Sequence, residues 1–200
     1  MTELTSRDVL GAVDPRLPFT KAIAGAGRII AGVRPSQLGE PTPCADFDVR
    51  ALLGHMVGVL HRVAAVARSE DPRNLAFVVG GVGDKGWTEA WVTAARDVQD
   101  AWSDASILAR ELQLPWTTMT GEQVMGIYTS EIVVHTWDLA RATGQQARWD
   151  AVVVQASYDA LHEHLGAEPR GGEIPFGPVV AVPADAPLVD RLLGWAGRQP

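Results

Sequence analysis

The chain has 200 residues, 46% hydrophobic and 20% charged, with a formal net charge of −7. This suits one folded domain, excludes a disordered chain, and argues against a nucleic-acid partner, whose protein face is normally basic and clustered. The single cysteine, Cys44, excludes an intrachain disulfide and fits a reducing cytoplasm. Residues 1–8 lack the basic-then-apolar order of a secretory signal. The apolar stretches are broken by charge, His or Gly, so no membrane-spanning helix is expected.

Residues 15–33 read as a first helix, with Leu17, Phe19, Ile23, Ile29, Ile30 and Val33 near one stripe. Gly25, Gly27 and Gly32 weaken its propensity but allow close packing. Pro35, Pro41 and Pro43 exclude helix from the loop that follows. Asp46 is then the expected N-cap of a second helix running to about residue 69. Its apolar face is Val49, Leu52, Leu53, Met56, Val57 and Leu60, with His55 in its middle. His61, about 600° further round, faces elsewhere.

Residues 70–86, containing Asp71-Pro72 and Gly80-Gly81-Val-Gly83, read as a mobile connection. Thr88 is the expected cap of a third helix, 89–112, packing through Trp91, Ala94, Ala95, Val98, Trp102 and Leu108. Residues 114–119 read as extended. Thr120-Gly-Glu-Gln123 fits a capping box that opens a fourth helix to about residue 143, where Gly144 is a natural terminator. A fifth helix is expected over 151–165. Pro and Gly then break any long element. Residues 176–182 suit a short strand or an extended arm, and 187–197 a short terminal helix with Pro187 in its first turn.

Helices joined by loops, without an alternating strand pattern, predict an all-α fold, a four-helix bundle. Residues 1–168 are expected to form the bundle. Residues 169–200 are expected to be an irregular C-terminal extension packed on it, not an independent domain.

The chemistry concentrates in Glu131-Ile-Val-Val-His135-Thr-Trp-Asp138. Four residues of α-helix advance about 6 Å and turn roughly 400°, so Glu131 and His135 stand one above the other. Ionisable groups on an apolar helix are costly to bury unless something pairs with them. A metal ion is one such partner, with His55 as a third ligand from a neighbouring helix. Two nitrogens and one oxygen suit Zn²⁺, and less selectively Ni²⁺, Fe²⁺ or Mn²⁺, and leave a position open as in catalytic sites. The alternatives are a core histidine satisfied by a hydrogen bond and a glutamate in a salt bridge.

Asp138 is read either as orienting a liganding imidazole from behind or as a structural partner of Arg50 or Arg141. Cys44 is read as a small buried apolar residue, the alternative being a thiol whose pKa a helix dipole lowers. His162 and His164, two apart on a helix, point about 200° apart and are expected to be solvated. Trp116 and Trp137 are the tryptophans that would line a pocket.

Four segments carry a resemblance. They are Pro41-Thr-Pro-Cys44-Ala-Asp-Phe-Asp-Val-Arg-Ala-Leu-Leu-Gly-His55-Met-Val-Gly, Glu131-Ile-Val-Val-His135-Thr-Trp-Asp-Leu-Ala-Arg-Ala-Thr-Gly144, Phe176-Gly-Pro-Val-Val-Ala-Val-Pro, and Asp190-Arg-Leu-Leu-Gly-Trp-Ala-Gly-Arg198-Gln-Pro200. Together they resemble the mycothiol-dependent maleylpyruvate isomerase-like metal-binding proteins of the DinB/YfiT superfamily, in particular an uncharacterised actinobacterial subfamily.

The resemblance implies a four-helix bundle with a divalent metal, usually zinc, held by His55, Glu131 and His135. It further implies mycothiol as a thiol cosubstrate, and a transferase or isomerase acting on a small electrophile. The isomerase it resembles carries an additional C-terminal α/β domain, whereas 35 residues follow Leu165 here. The metal site is therefore the feature expected to carry over, rather than the isomerase reaction itself. A metal-dependent hydrolase and a non-enzymatic metal-containing small-molecule binding protein are the alternatives. A monomer or homodimer is expected, with no nucleic-acid or membrane partner.

Overall fold

A computed structural model describes residues 13–171 and 176–200. Residues 1–8, expected to carry no secretory signal, and the breakers Gly172 and Pro175 lie outside the described residues. The described residues form six α-helices: α1 (Arg16–Ala31), α2 (Val49–Ala67), α3 (Trp87–Ala101), α4 (Gly121–Thr143), α5 (Ala151–His164) and α6 (Leu188–Trp195). A small hairpin, β1 (Glu111–Gln113) and β2 (Thr118–Thr120), joins α3 to α4. The all-α expectation holds.

Helices α1, α3, α2 and α4 close a ring in that order, each packed on the next. Helix α5 lies outside on α4 and α1, and α6 on α5. Leu52, Leu60, Val63, Val98, Val124, Met125 and Leu139 are fully enclosed at the ring's centre. Burying each large apolar side chain contributes about 1.5–3 kcal/mol. The indole of Trp91 donates to the Ile23 carbonyl at 3.2 Å and that of Trp102 to the Val63 carbonyl at 3.0 Å. Buried donors must find such partners, and these two tie α3 to α1 and to α2. Helix α2 is long and apolar enough to cross a membrane, and 78% of its apolar window is buried inside the protein. Its composition is that of the bundle's central helix.

Several boundaries differ from expectation. The N-cap of α2 is Asp48, whose carboxylate accepts from the Ala51 amide at 2.7 Å, not Asp46. The chain is still extended at Asp48, where it bridges Pro41, so helix begins two residues late. Helix α3 starts at Trp87 after Gly86 with no side-chain cap from Thr88, and ends at Ala101 instead of near 112. Asp104 caps a 3₁₀ turn, Ala105–Ala109, and the hairpin follows, pairing Leu112 with Met119. Three-residue strands are too short to show a period of two in sequence.

Trp116 sits between the two strands and is 64% exposed. His162 is half-buried rather than fully solvated: its ring stacks between Tyr158 and Trp195 with centroids 3.9 and 4.1 Å away. Residues 176–182 form an extended arm without regular strand, bonded to α6 through the Val180 amide and the Gly194 carbonyl.

The local signals that bound α4 hold in the structure. Thr120 and Gln123 make the reciprocal capping box, and Gly144 adopts the left-handed φ of 67° that stops the helix. These two signals fix where Glu131 and His135 fall on the helix.

Candidate metal centre

His55 projects from the middle of α2 and is 2% exposed. Its ring is held from three sides. Phe47 stacks on it at 5.0 Å, Phe77 lies against it at 4.6 Å, and its Nδ1 meets the Phe77 carbonyl at 3.3 Å.

The segment carrying Phe77 was expected to be mobile, and it is instead docked across α2. Gly54 and Gly58 stand one turn apart and present bare backbone. A Cβ on Gly54 would lie 2.5 Å from the Val79 carbonyl oxygen, and one on Gly58 would lie 2.9 Å from that of Phe77. Only glycine lets the strap come this close. The strap also bonds α2 through the Val79 amide and the Gly54 carbonyl at 3.0 Å. The two glycines thus place the carbonyl that orients His55.

Glu131 and His135 project from one face of α4, as their spacing predicts. Glu131 Oε1 lies 3.2 Å from His55 Nε2 and 3.7 Å from His135 Nε2. One donor atom from each of the three residues falls within 4.8 Å of the others. The two imidazoles meet edge to face, with centroids 4.9 Å apart.

His135 Nδ1 lies 3.1 Å from Asp138 Oδ2. Asp138 is fully buried and is gripped by Arg198, whose Nε and Nη2 donate to its two oxygens at 2.9 Å each. Neither expected partner takes that place: Arg50 pairs with Asp84 at 2.6 Å, and Arg141 lies over Trp137 at 5.5 Å.

These contacts test the fit of a metal. A carbonyl and a salt-bridged carboxylate are acceptors, so each must receive a proton from the Nδ1 it faces. Nε2 of each imidazole faces Glu131, and the 3.2 Å contact of His55 Nε2 with Oε1 is a hydrogen bond whose proton a cation would displace. Burial pushes the Glu131 carboxyl upward, but the hydrogen bond from His55 and the charges of His135, His55 and Arg62 outweigh it and hold it at about 2. Burial opposes ionisation of Asp138 too, but hydrogen bonds from His135 and Arg198 keep it below the ordinary carboxylate range. Two imidazole nitrogens and a carboxylate converging on one place form a set that a cation satisfies, releasing the proton that His55 shares with Glu131. Donor atoms bonded at 2.0–2.2 Å to one tetrahedral zinc stand roughly 3.3–3.6 Å apart, close to the two separations observed. The residues present fit a divalent ion.

Cys44 is half-buried at the edge of this group, its sulfur within 4.8 Å of donor atoms on His135 and Asp138. Burial pushes its thiol upward and the charges of Asp138 and Asp46 add to that, against the pull of Arg198. It is not a dipole-activated thiol. His61, His162 and His164 take no part.

Sequence reasoning missed Phe77, the glycine pair, Arg62 and Arg198. Arg62 donates to the Phe77 carbonyl at 3.2 Å, the same oxygen that meets His55. The glycine pair was visible as a four-residue spacing inside an otherwise apolar helix.

Gly54→Ala tests the strap. Helix propensity alone predicts stabilisation by about 1 kcal/mol, and overpacking against backbone costs about 1–3 kcal/mol. The clash is expected to win. Thermal unfolding of the metal-free protein should move down, and zinc affinity should fall about tenfold as His55 loses its acceptor. An unchanged melting temperature and affinity would remove the strap from the account.

The model of the mycothiol maleylpyruvate isomerase N-terminal domain family matches residues 19–140, which include His55, Glu131, His135 and Asp138. Two curated relatives are uncharacterized proteins of Mycobacterium tuberculosis, from strains CDC 1551 / Oshkosh and ATCC 25618 / H37Rv. Each is 28% identical over 188 residues, covering 93% of this chain and 98% of its own length. No solved structure matches the chain significantly.

Proposed function

The chain belongs to the mycothiol maleylpyruvate isomerase N-terminal domain family, and on that premise we propose that it is a divalent-metal protein that activates a small thiol, mycothiol in the first instance, for transfer to or isomerisation of a small electrophile. His55, Glu131 and His135 hold the ion, zinc by the character of the donor set. The observation that carries the reading is the convergence of two Nε2 atoms and one carboxylate, each imidazole held from behind at Nδ1.

A bound divalent ion supplies Lewis acidity, which lowers the pKa of a thiol brought to it. The remaining roles belong to the chain. Glu131 offsets part of the ion's charge. The carbonyl of Phe77 and the carboxylate of Asp138 hold each imidazole at Nδ1 and aim its Nε2 at the place of the ion. Phe47 and Phe77 form an apolar rim on His55 that excludes water from one side.

A hydrolytic reading needs a carboxylate or imidazole free to take a proton from water. Asp138 does not qualify, because Arg198 and His135 occupy both its oxygens. Thiol activation asks for no such base.

Cobalt substituted into a Cys44→Ser chain serves as the reporter, so that the protein's own thiol adds no signal. Titration with mycothiol, or with a simple thiol as surrogate, should produce a sulfur-to-cobalt charge-transfer band that saturates at one thiol per chain. A spectrum that no thiol alters would overturn the thiol-activating reading and favour a binding protein without that chemistry.

A further inference from the structure

Arg198 is 60 residues from Asp138 in sequence and meets it through a defined route. Leu192 and Leu193, fully buried, anchor α6. The helix ends at Ala196, and Gly197 turns the chain with a φ of 78°. The Gly197 amide then bonds the Gly194 carbonyl and the Arg198 amide the Leu193 carbonyl. This is the paired Schellman closure, which reverses the chain over the helix end. It delivers the Arg198 side chain, 11% exposed, onto α4. Its Nη1 is fixed by the Ala196 carbonyl at 3.1 Å, while Nε and Nη2 take the two oxygens of Asp138.

We infer that Arg198 is a positioning residue of the metal centre: it sets the plane of the Asp138 carboxylate, which in turn holds the His135 proton on Nδ1 and leaves Nε2 free for the ion. This rests on the proposed metal site, which it deepens. A planar guanidinium engaging both oxygens fixes a carboxylate's orientation as a single point charge does not. Apart from His135, Asp138 has no other ion-pair partner among the described residues, and full burial denies it water. Without the fork it is free to turn, and Oδ2 no longer faces the imidazole. The C-terminal segment is thereby part of the site, through one arginine outside the matched family region.

The test uses the full chain with Arg198→Gln, Arg198→Lys, Asp138→Asn and the Asp138→Asn/Arg198→Gln double variant. Zinc affinity is measured by chelator competition. The His135 tautomer is read from two-bond nitrogen–proton spectra of the metal-free proteins. Arg198→Gln is expected to weaken zinc binding about 10- to 100-fold and to mix the His135 tautomers, with Arg198→Lys in between. The double variant should be no weaker than Asp138→Asn, because Arg198 acts through Asp138. If Arg198→Gln does not fold, Arg198→Lys carries the same readouts.

Unchanged affinity and an unchanged tautomer would overturn the inference, as would additive losses in the double variant. A wild type that takes up no zinc would overturn the metal reading alone. The tautomer would then decide on Arg198 by itself, a mixture in the variant supporting it and a single unchanged form overturning it.

Discussion

Replacing His135 by alanine is expected to strip the chain of its metal while leaving the bundle folded. Structural zinc binding is worth about 10–16 kcal/mol over four ligands, so losing one ligand should cost on the order of 10²–10³-fold in affinity. The fold should survive because His135 contributes no large apolar surface to the core, and Asp138 keeps both bonds to Arg198 when the imidazole is gone. Zinc at 100 times its dissociation constant stabilises the wild type by about 2.7 kcal/mol. For a chain of this size that is a rise of roughly 5–10 °C in Tm. The metal-free variant should melt close to the metal-free wild type and gain nothing from zinc. Calorimetry with and without zinc reads both quantities. A variant that gains as much from zinc as the wild type would remove His135 from the site.

Asp138→Ala is expected to be the most destabilising single change near the site. It leaves the Arg198 guanidinium, 11% exposed, without its counter-charge, and His135 Nδ1 without an acceptor. Breaking a buried pair from one side costs about 3–5 kcal/mol, or roughly 6–20 °C in Tm. Asp138→Asn, which keeps the shape but not the charge, should fall between. The pH dependence follows from the depressed carboxyl of Asp138. A carboxylate held below its unfolded value contributes its full stability above about pH 4 and loses it as pH falls through the folded value. Asp138→Asn should lack this acid-labile component. Equal acid profiles for the wild type and Asp138→Asn would show that the pair with Arg198 does not stabilise the fold.

What was legible in the sequence was whatever depends on neighbours along the chain. The box of Thr120 and Gln123 and the terminator Gly144 bounded α4, and a four-residue spacing put Glu131 and His135 on one face. The approach of His55 followed from the resemblance and from helix phase. What failed depended on partners distant in sequence. Asp46 and Asp48 are equally good caps locally, and the bridge from Pro41 to Asp48 decides between them. A segment rich in glycine looks mobile until the bare backbone of Gly54 and Gly58 gives it a groove. His162 looks like a surface residue until Trp195 arrives from α6 to cover it. Arg198 had no local signal, since its role is set by a turn at one end of the chain meeting a buried carboxylate in α4.

The central claim is that His55, Glu131 and His135 bind one divalent ion through two imidazole nitrogens and one carboxylate oxygen. X-ray absorption at the zinc edge of the purified, zinc-loaded chain tests this most directly. The account predicts one zinc per chain, a first shell of nitrogen and oxygen with the outer-ring signature of two imidazoles, and no sulfur until a thiol is added. A sulfur neighbour in the thiol-free protein would shift the site toward Cys44, and a chain that retains no zinc would contradict the account.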